Sequence, residues 1–148
     1  MAIRSITVDQ AAELMGKDGG AVYLDVRSRR EFVAGHPAGA INIPLLEPDD
    51  WGRMAPNPEF LSVAEKVLSK GAKLVVGCLM GKRSLTACQI LEQAGYTDLA
   101  NVLGGYGGAK DLLGRIVQPG WVQLGLPVSE ENGEGVSYES LRSRALGD

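Results

Sequence analysis

Short apolar runs alternate along this chain with segments whose apolar positions recur every three to four residues. The alternation predicts strand, helix, strand, helix as far as residue 103. Arg4 to Thr7 reads as a first short strand. Thr7 with Gln10 three places on makes a capping box, so a helix is expected from about Val8 to Met15, stopping near Gly16. Ala21 to Val26 is almost wholly apolar, the mark of a strand covered on both faces. Ser28 and Glu31 form a second capping box over a short helix reaching about Ala34, and Ala40 to Ile43 reads as a strand ended by Pro44. Asn57 followed by Pro58 predicts a helix start. Phe60, Val63, Ala64, Val67 and Leu68 give that helix one apolar face, and Gly71 is its expected end. Lys73 to Gly77 reads as a buried strand, Cys78 to Arg83 as a loop, Ser84 to Ala94 as a helix stopped by Gly95, and Leu99 to Leu103 as the last strand.

This order implies an α/β fold: a central, mainly parallel five-stranded sheet with helices on both faces. Chemistry in such sheets gathers at the carboxyl ends of the strands. That edge holds Asp25, Cys78 and the glycines after Leu103. From Ser129 to Asp148 the chain turns polar, with one short helical pattern over Tyr138 to Leu146, and it is expected as a loosely attached tail. The 148 residues fit one domain with a sizeable core. A formal net charge of -3 argues against nucleic acid as a partner. No apolar run approaches the roughly 18 residues that cross a bilayer, so no membrane partner is expected. Met1 to Asp9 lacks the apolar core of a secretion signal and the Arg/Ser-rich pattern of an import sequence, so a cytoplasmic location is expected. Two cysteines and one histidine are too few for a disulfide framework or a structural zinc site, and no metal or cofactor is implied.

The informative segment is Gly77-Cys78-Leu79-Met80-Gly81-Lys82-Arg83-Ser84. A lone cysteine at a strand end is ordinarily a small hydrophobe. Here a buried strand delivers it to a short turn, Gly81 is free to take unusual dihedrals, two cations follow, and a helix begins. Inward-facing amides and the positive end of a helix make an anion-binding nest. Such surroundings lower a cysteine's pKa and populate the attacking thiolate. The same donors can hold negative charge on sulfur after attack. His36 lies in a separate Gly-rich turn and reads as a turn-stabilising hydrogen bonder, so no Cys-His-Asn mechanism is available.

At these residues the chain resembles the rhodanese family of sulfurtransferases. Leu24-Asp25-Val26-Arg27, Glu31-Phe32 and Gly35 to Pro44 are similar to its N-terminal signature; Cys78 to Ser84 is similar to its active loop. Gly104-Gly105-Tyr106, Trp121 and Gly125-Leu126-Pro127 are similar to its closing motif. The match spans most of residues 3 to 128, and its nearest likeness is to small single-domain thiosulfate sulfurtransferases. The resemblance implies that Cys78 takes the outer sulfur of thiosulfate as a persulfide and hands it to a thiol or cyanide. It implies that the amides from Leu79 through Met80, Gly81, Lys82 and Arg83 to Ser84 cradle that sulfur, while Lys82 and Arg83 attract the dianion. It also implies that Asp25 buttresses the loop and that Arg27 and Glu31 form structural ion pairs. Phosphatases related to this fold place five residues between Cys and Arg; only four separate Cys78 from Arg83, which fits a single sulfur atom better than a phosphoryl group. A non-catalytic sulfur-carrying or docking module is the alternative, and an intact Cys78 argues against it.

Two features depart from the family pattern. Residues 107–120 separate Tyr106 from Trp121 as an apparent insertion at the expected active edge of a domain spanning 1–128. It is expected either to border the pocket as a rim or docking surface for a sulfur-accepting protein, or to be surface decoration. The other is the polar segment 129–148. Leu79 and Met80 put apolar side chains around the loop where some members of the family carry more polar ones, a difference expected to weaken thiosulfate preference and favour a protein or low-molecular-weight persulfide donor. Cys88, on an apolar helix arc, reads as a buried structural thiol.

Overall fold

A computed structural model describes residues 3–16 and 18–147. In chain order the elements are β1 (Arg4–Ile6), α1 (Val8–Met15), β2 (Val22–Asp25), α2 (Arg29–Ala34), β3 (His36–Pro37) and β4 (Ile41–Asn42). A hairpin of β5 (Leu46–Pro48) and β6 (Met54–Pro56) follows, then α3 (Phe60–Val67), β7 (Leu74–Gly77), α4 (Lys82–Gln93) and β8 (Leu99–Val102). A second hairpin, β9 (Ala109–Lys110) and β10 (Ile116–Gln118), precedes β11 (Val128–Ser129) and α5 (Tyr138–Leu146). Five strands form one all-parallel sheet in the order β1-β8-β7-β2-β4. Strand β7 is central; Gly77 pairs with Asp25 on one side and Val76 with Asn101 on the other.

The period-2 alternation of the strands divides the core into two layers. Leu24, Leu74, Val76 and Leu99 pack with Phe60, Val63, Leu91, Tyr138 and Leu141 on one face. Tyr23, Val75, Ala100 and Val102 pack with Val8, Ala11, Phe32 and Trp121 on the other. Each fully buried Val, Leu or Phe contributes about 1.5–3 kcal/mol, which is why the continuous apolar runs end up as interior strands. The capping boxes close locally. Gln10 Oε1 accepts the Thr7 N–H at 2.9 Å, and Glu31 Oε1 accepts the Ser28 N–H at 3.1 Å. No helix among the described residues is long and apolar enough to cross a membrane.

Three sequence expectations need correction. Asn57 and Pro58 do not start a helix: Asn57 Oδ1 accepts the Glu59 N–H at 3.1 Å and Asn57 O the Phe60 N–H at 3.2 Å, making a turn, and α3 begins at Phe60 and ends at Val67 rather than Gly71. Helix α4 begins at Lys82, two residues before the expected Ser84, because Gly81 adopts φ +107° and caps it. The C-terminal segment is not loosely attached: Tyr138 and Leu141 are buried in the core, Asn57 Nδ2 donates to the Tyr138 hydroxyl at 3.1 Å, and Arg142 pairs with Glu59. Polar composition hid two core-facing side chains on an otherwise solvated helix.

Candidate active site

Strand β7 brings an apolar stretch to the middle of the sheet and releases the chain at Cys78. Its last residue must be glycine, since a Cβ on Gly77 would lie 1.9 Å from the Tyr23 hydroxyl oxygen. The Cys78 carbonyl then accepts the Tyr106 N–H at 2.7 Å, and the Leu79 carbonyl the Gly107 N–H at 2.9 Å. Gly105 permits this approach; a Cβ there would lie 2.3 Å from the Cys78 carbonyl oxygen. The turn after β8 therefore clamps the backbone that carries the thiol.

Cys78 is 2% exposed and lies on a pocket of about 210 Å³ lined also by Leu79, Met80, Lys82 and Arg83. Its Sγ accepts the Gly81 N–H at 3.1 Å and is 3.4 Å from the Ser84 Oγ. The Ser84 hydroxyl donates to Asn101 Oδ1 at 2.5 Å, and Asn101 Nδ2 donates to the Gly81 carbonyl at 3.4 Å. Because α4 starts at Lys82, the positive end of its dipole lies within four residues of the sulfur.

The two cations differ. Arg83 donates to Glu31 through Nη1 at 2.7 Å and Nη2 at 3.0 Å. Partial burial alone would raise the Glu31 carboxyl, but Arg83 and the Ser28 amide and hydroxyl outweigh it and hold the group down at about 2. Lys82 is exposed and has no carboxylate partner among the described residues. Leu79 and Met80, both about two-fifths exposed, give the pocket mouth an apolar lip.

Asp25 and Arg27 form a buried ion pair, Oδ2 to Nη2 at 2.8 Å. Burial disfavours the Arg27 charge, but the Asp25 carboxylate outweighs it and raises that guanidinium's pKa. Arg27 also donates to the Gly35 carbonyl at 2.8 Å, and its guanidinium carbon lies 4.3 Å from the Tyr106 ring centroid. This pair thus bears on Tyr106, whose N–H holds the Cys78 carbonyl, and its hydrogen bonds do not run to the sulfur. Asn42 ties the same turn by donating to the Asp25 and Arg27 carbonyls, both at 3.0 Å.

His36 is buried, stacked on Phe32 at 3.7 Å, with its ring nitrogens 2.9 and 2.7 Å from the Pro37 and Glu131 carbonyls. It organises a turn away from the thiol. Burial, with the nearby Cys78 charge adding to it, pushes the Cys88 thiol up to about 12, which disfavours its thiolate at neutral pH. Within the 107–120 segment, β9 and β10 pair as an antiparallel hairpin. Asp111 Oδ1 accepts the Leu113 and Arg115 N–H groups at 2.9 Å, and Leu112 and Leu113 project fully into solvent. Its base meets the site where Gly107 binds the Leu79 carbonyl.

Sequence reasoning missed Asn101 and the support that Tyr106 gives. Asn101 carried a signal: it is the one strongly polar residue in the buried strand Leu99-Ala100-Asn101-Val102, and a buried carboxamide must find partners. The contact to Ser84 spans 17 positions and has no local signature.

The family profile described as "Rhodanese-like domain" matches residues 7–111. The chain is 35% identical over 123 residues to "Thiosulfate sulfurtransferase 16, chloroplastic" of Arabidopsis thaliana, covering 83% of this chain and 90% of that one. It is 43% identical over 89 residues to the human "Thiosulfate:glutathione sulfurtransferase", covering 60% and 77%. Among solved structures it is similar to Rv0390 of M. tuberculosis, with a TM-score of 0.72 and 27% identity over 88% of this chain and 100% of that one.

Proposed function

Because this chain belongs to the rhodanese-like domain family, we propose that it is a sulfurtransferase that carries sulfane sulfur on Cys78. The Cys78 thiolate attacks the outer sulfur of thiosulfate. A new S–S bond forms, the S–S bond of thiosulfate breaks, and its electron pair leaves with sulfite. An acceptor thiolate, or cyanide, then attacks the terminal sulfur, and Cys78 departs as thiolate. The names of two relatives, a thiosulfate sulfurtransferase and a thiosulfate:glutathione sulfurtransferase, support thiosulfate as donor and a thiol as acceptor. A thiol borne by a protein would react by the same step.

The observation that carries this reading is the environment of one atom: Cys78 Sγ is buried, bonded to the Gly81 amide at 3.1 Å, and set at a pocket beside the exposed Lys82. The amide and the helix end stabilise charge on sulfur before and after attack. Lys82 supplies the attraction for a dianion. Leu79 and Met80 exclude water from the departing sulfite and meet the aliphatic part of an acceptor. The β9–β10 hairpin borders this lip through Gly107.

Thiosulfate-dependent thiocyanate formation tests the reading. The wild type is expected to turn over and to gain about 32 Da, one sulfur atom, on Cys78. Cys78→Ser is expected to do neither. Equal turnover by both proteins would overturn the assignment, and a loaded but non-transferring wild type would point to a sulfur carrier instead.

A further inference from the structure

Asn101 is 3% exposed in the interior of β8, and its carboxamide binds Gly81 and Ser84. These two residues are the hydrogen-bonding neighbours of Cys78 Sγ. Asn101 therefore governs both partners of the sulfur without bonding to it. We propose that Asn101 is a positioning residue whose amide orientation switches Ser84 between accepting a hydrogen bond from the Cys78 thiol and donating one to the Cys78 anion. The proposal rests on the reading of Cys78 as the sulfur carrier.

A serine hydroxyl has one proton. While that proton points at Asn101 Oδ1, 2.5 Å away, Ser84 can only accept from sulfur at 3.4 Å, which suits an S–H group. A thiolate or a persulfide anion needs a donor. Ser84 becomes one only if its proton leaves Asn101, and Oδ1 would then be buried with no donor. Turning the carboxamide over eases the conflict at Ser84: Nδ2 donates to Ser84 Oγ, and the Ser84 hydroxyl donates to sulfur, while Oδ1 comes to lie beside the Gly81 carbonyl. The bond given up is the 3.4 Å contact to the Gly81 carbonyl, long for an N–H···O bond. The site thus has two arrangements, one for thiol and one for anion, the second trading that long contact for a donor aimed at sulfur. Asparagine serves both because its two ends are nearly isosteric, one a donor and one an acceptor. An ionised aspartate can only accept, so it would hold Ser84 in the thiol arrangement.

The test compares Asn101→Asp, Asn101→Ala, Ser84→Ala and the double variant Ser84→Ala/Asn101→Asp at pH 7. One readout is the rate of Cys78 alkylation by iodoacetamide, followed by mass spectrometry, which does not depend on sulfur transfer. The other is single-turnover persulfide formation from thiosulfate. Asn101→Asp is expected to slow both by tenfold or more, with the half-saturating thiosulfate concentration changed less than twofold. Asn101→Ala releases Ser84 to donate and is expected to slow both less than threefold. In the Ser84→Ala background, Asn101→Asp is expected to cost less than threefold. A simple packing role predicts the reverse order, with alanine worse than the isosteric aspartate, and that order would overturn the proposal. So would an aspartate effect undiminished without Ser84, or one confined to thiosulfate binding. If Asn101→Ala does not fold, the aspartate variant in the two Ser84 backgrounds decides. Failure of thiosulfate to load the wild type sinks the sulfurtransferase reading alone, because the alkylation arm still reports on Asn101.

Discussion

Arg83 grips Glu31 with both ends of its guanidinium, at 2.7 and 3.0 Å, so one of the two cations after the Cys78 turn is already partnered within the protein. The pair joins the first turn of α4 to α2 across the mouth of the site. Replacing Glu31 with Gln is expected to lower stability by about 1–2 kcal/mol, measured by urea denaturation at pH 7, after allowance for partial solvent screening. The Glu31 carboxyl is held at about 2 in the folded protein against 4.5 in its reference state. The pair's contribution is therefore present above pH 4.5 and is lost as pH falls toward about 2. The wild type and Glu31→Gln are thus expected to differ progressively less below pH 4.5 and to converge in stability only at about pH 2. The freed Arg83 should lower the thiosulfate KM in the variant at neutral pH.

Lys82, exposed at the pocket, has no carboxylate partner among the described residues. Lys82→Ala is expected to raise the KM for thiosulfate about three- to tenfold while kcat changes less than twofold, because its attraction acts on the dianion before reaction. The difference should shrink as ionic strength rises, since exposed charges are screened. Steady-state assays at two salt concentrations check both statements.

Cys88 is buried, and its thiol is pushed up to about 12. Cys88→Ala should leave sulfur transfer within twofold of wild type and cost about 1–2 kcal/mol for the lost packing. Mass spectrometry after mild alkylation of the folded protein should find one modified thiol, Cys78.

Gly77 admits no side chain because the Tyr23 hydroxyl occupies the space. Tyr23 is 1% exposed and packs edge-on against Trp121, with ring centroids 5.6 Å apart, so it has little room to retreat. Gly77→Ala is expected to destabilise the protein by about 1–3 kcal/mol and to displace Cys78. Adding Tyr23→Phe should recover part of the loss, as thermal unfolding of the single and double variants would show.

Leu112 and Leu113 touch solvent and little else. Replacing both with Ser should leave the melting temperature within a degree or two. Transfer to a small thiol should also be unaffected, because the pocket lining stops at Leu79, Met80, Lys82 and Arg83.

The order of strands and helices was legible because the interior strands β2, β7 and β8 are short, mainly apolar runs and the first two helices carry their own capping residues. The Cys78 turn was legible because its amide donor, cations and helix start lie within seven consecutive residues, 78–84. The failures share a physical cause: they depend on partners distant in sequence or on a single dihedral. Gly81 at φ +107° starts α4 early and so places Arg83 where it meets Glu31, 52 positions away. Asn57 looked like a cap, but its side chain also reaches Pro44 and Tyr138, which hold it in a turn. The burial of Tyr138 and Leu141 depends on side chains of α3 and the sheet, which no property of residues 129–148 reveals.

The placement of β7 between two neighbours on each side has a kinetic corollary. Amide protons on a middle strand exchange with solvent only through the largest opening events, whereas edges and protruding ribbons breathe through small ones. The thiol's support is fastened to that slowest-breathing rung, and the lip around it to the faster ribbon that begins at Gly107. Deuterium uptake should therefore be steeply graded over a short distance, with a firm seat beneath the sulfur and a yielding margin where an acceptor must enter and leave.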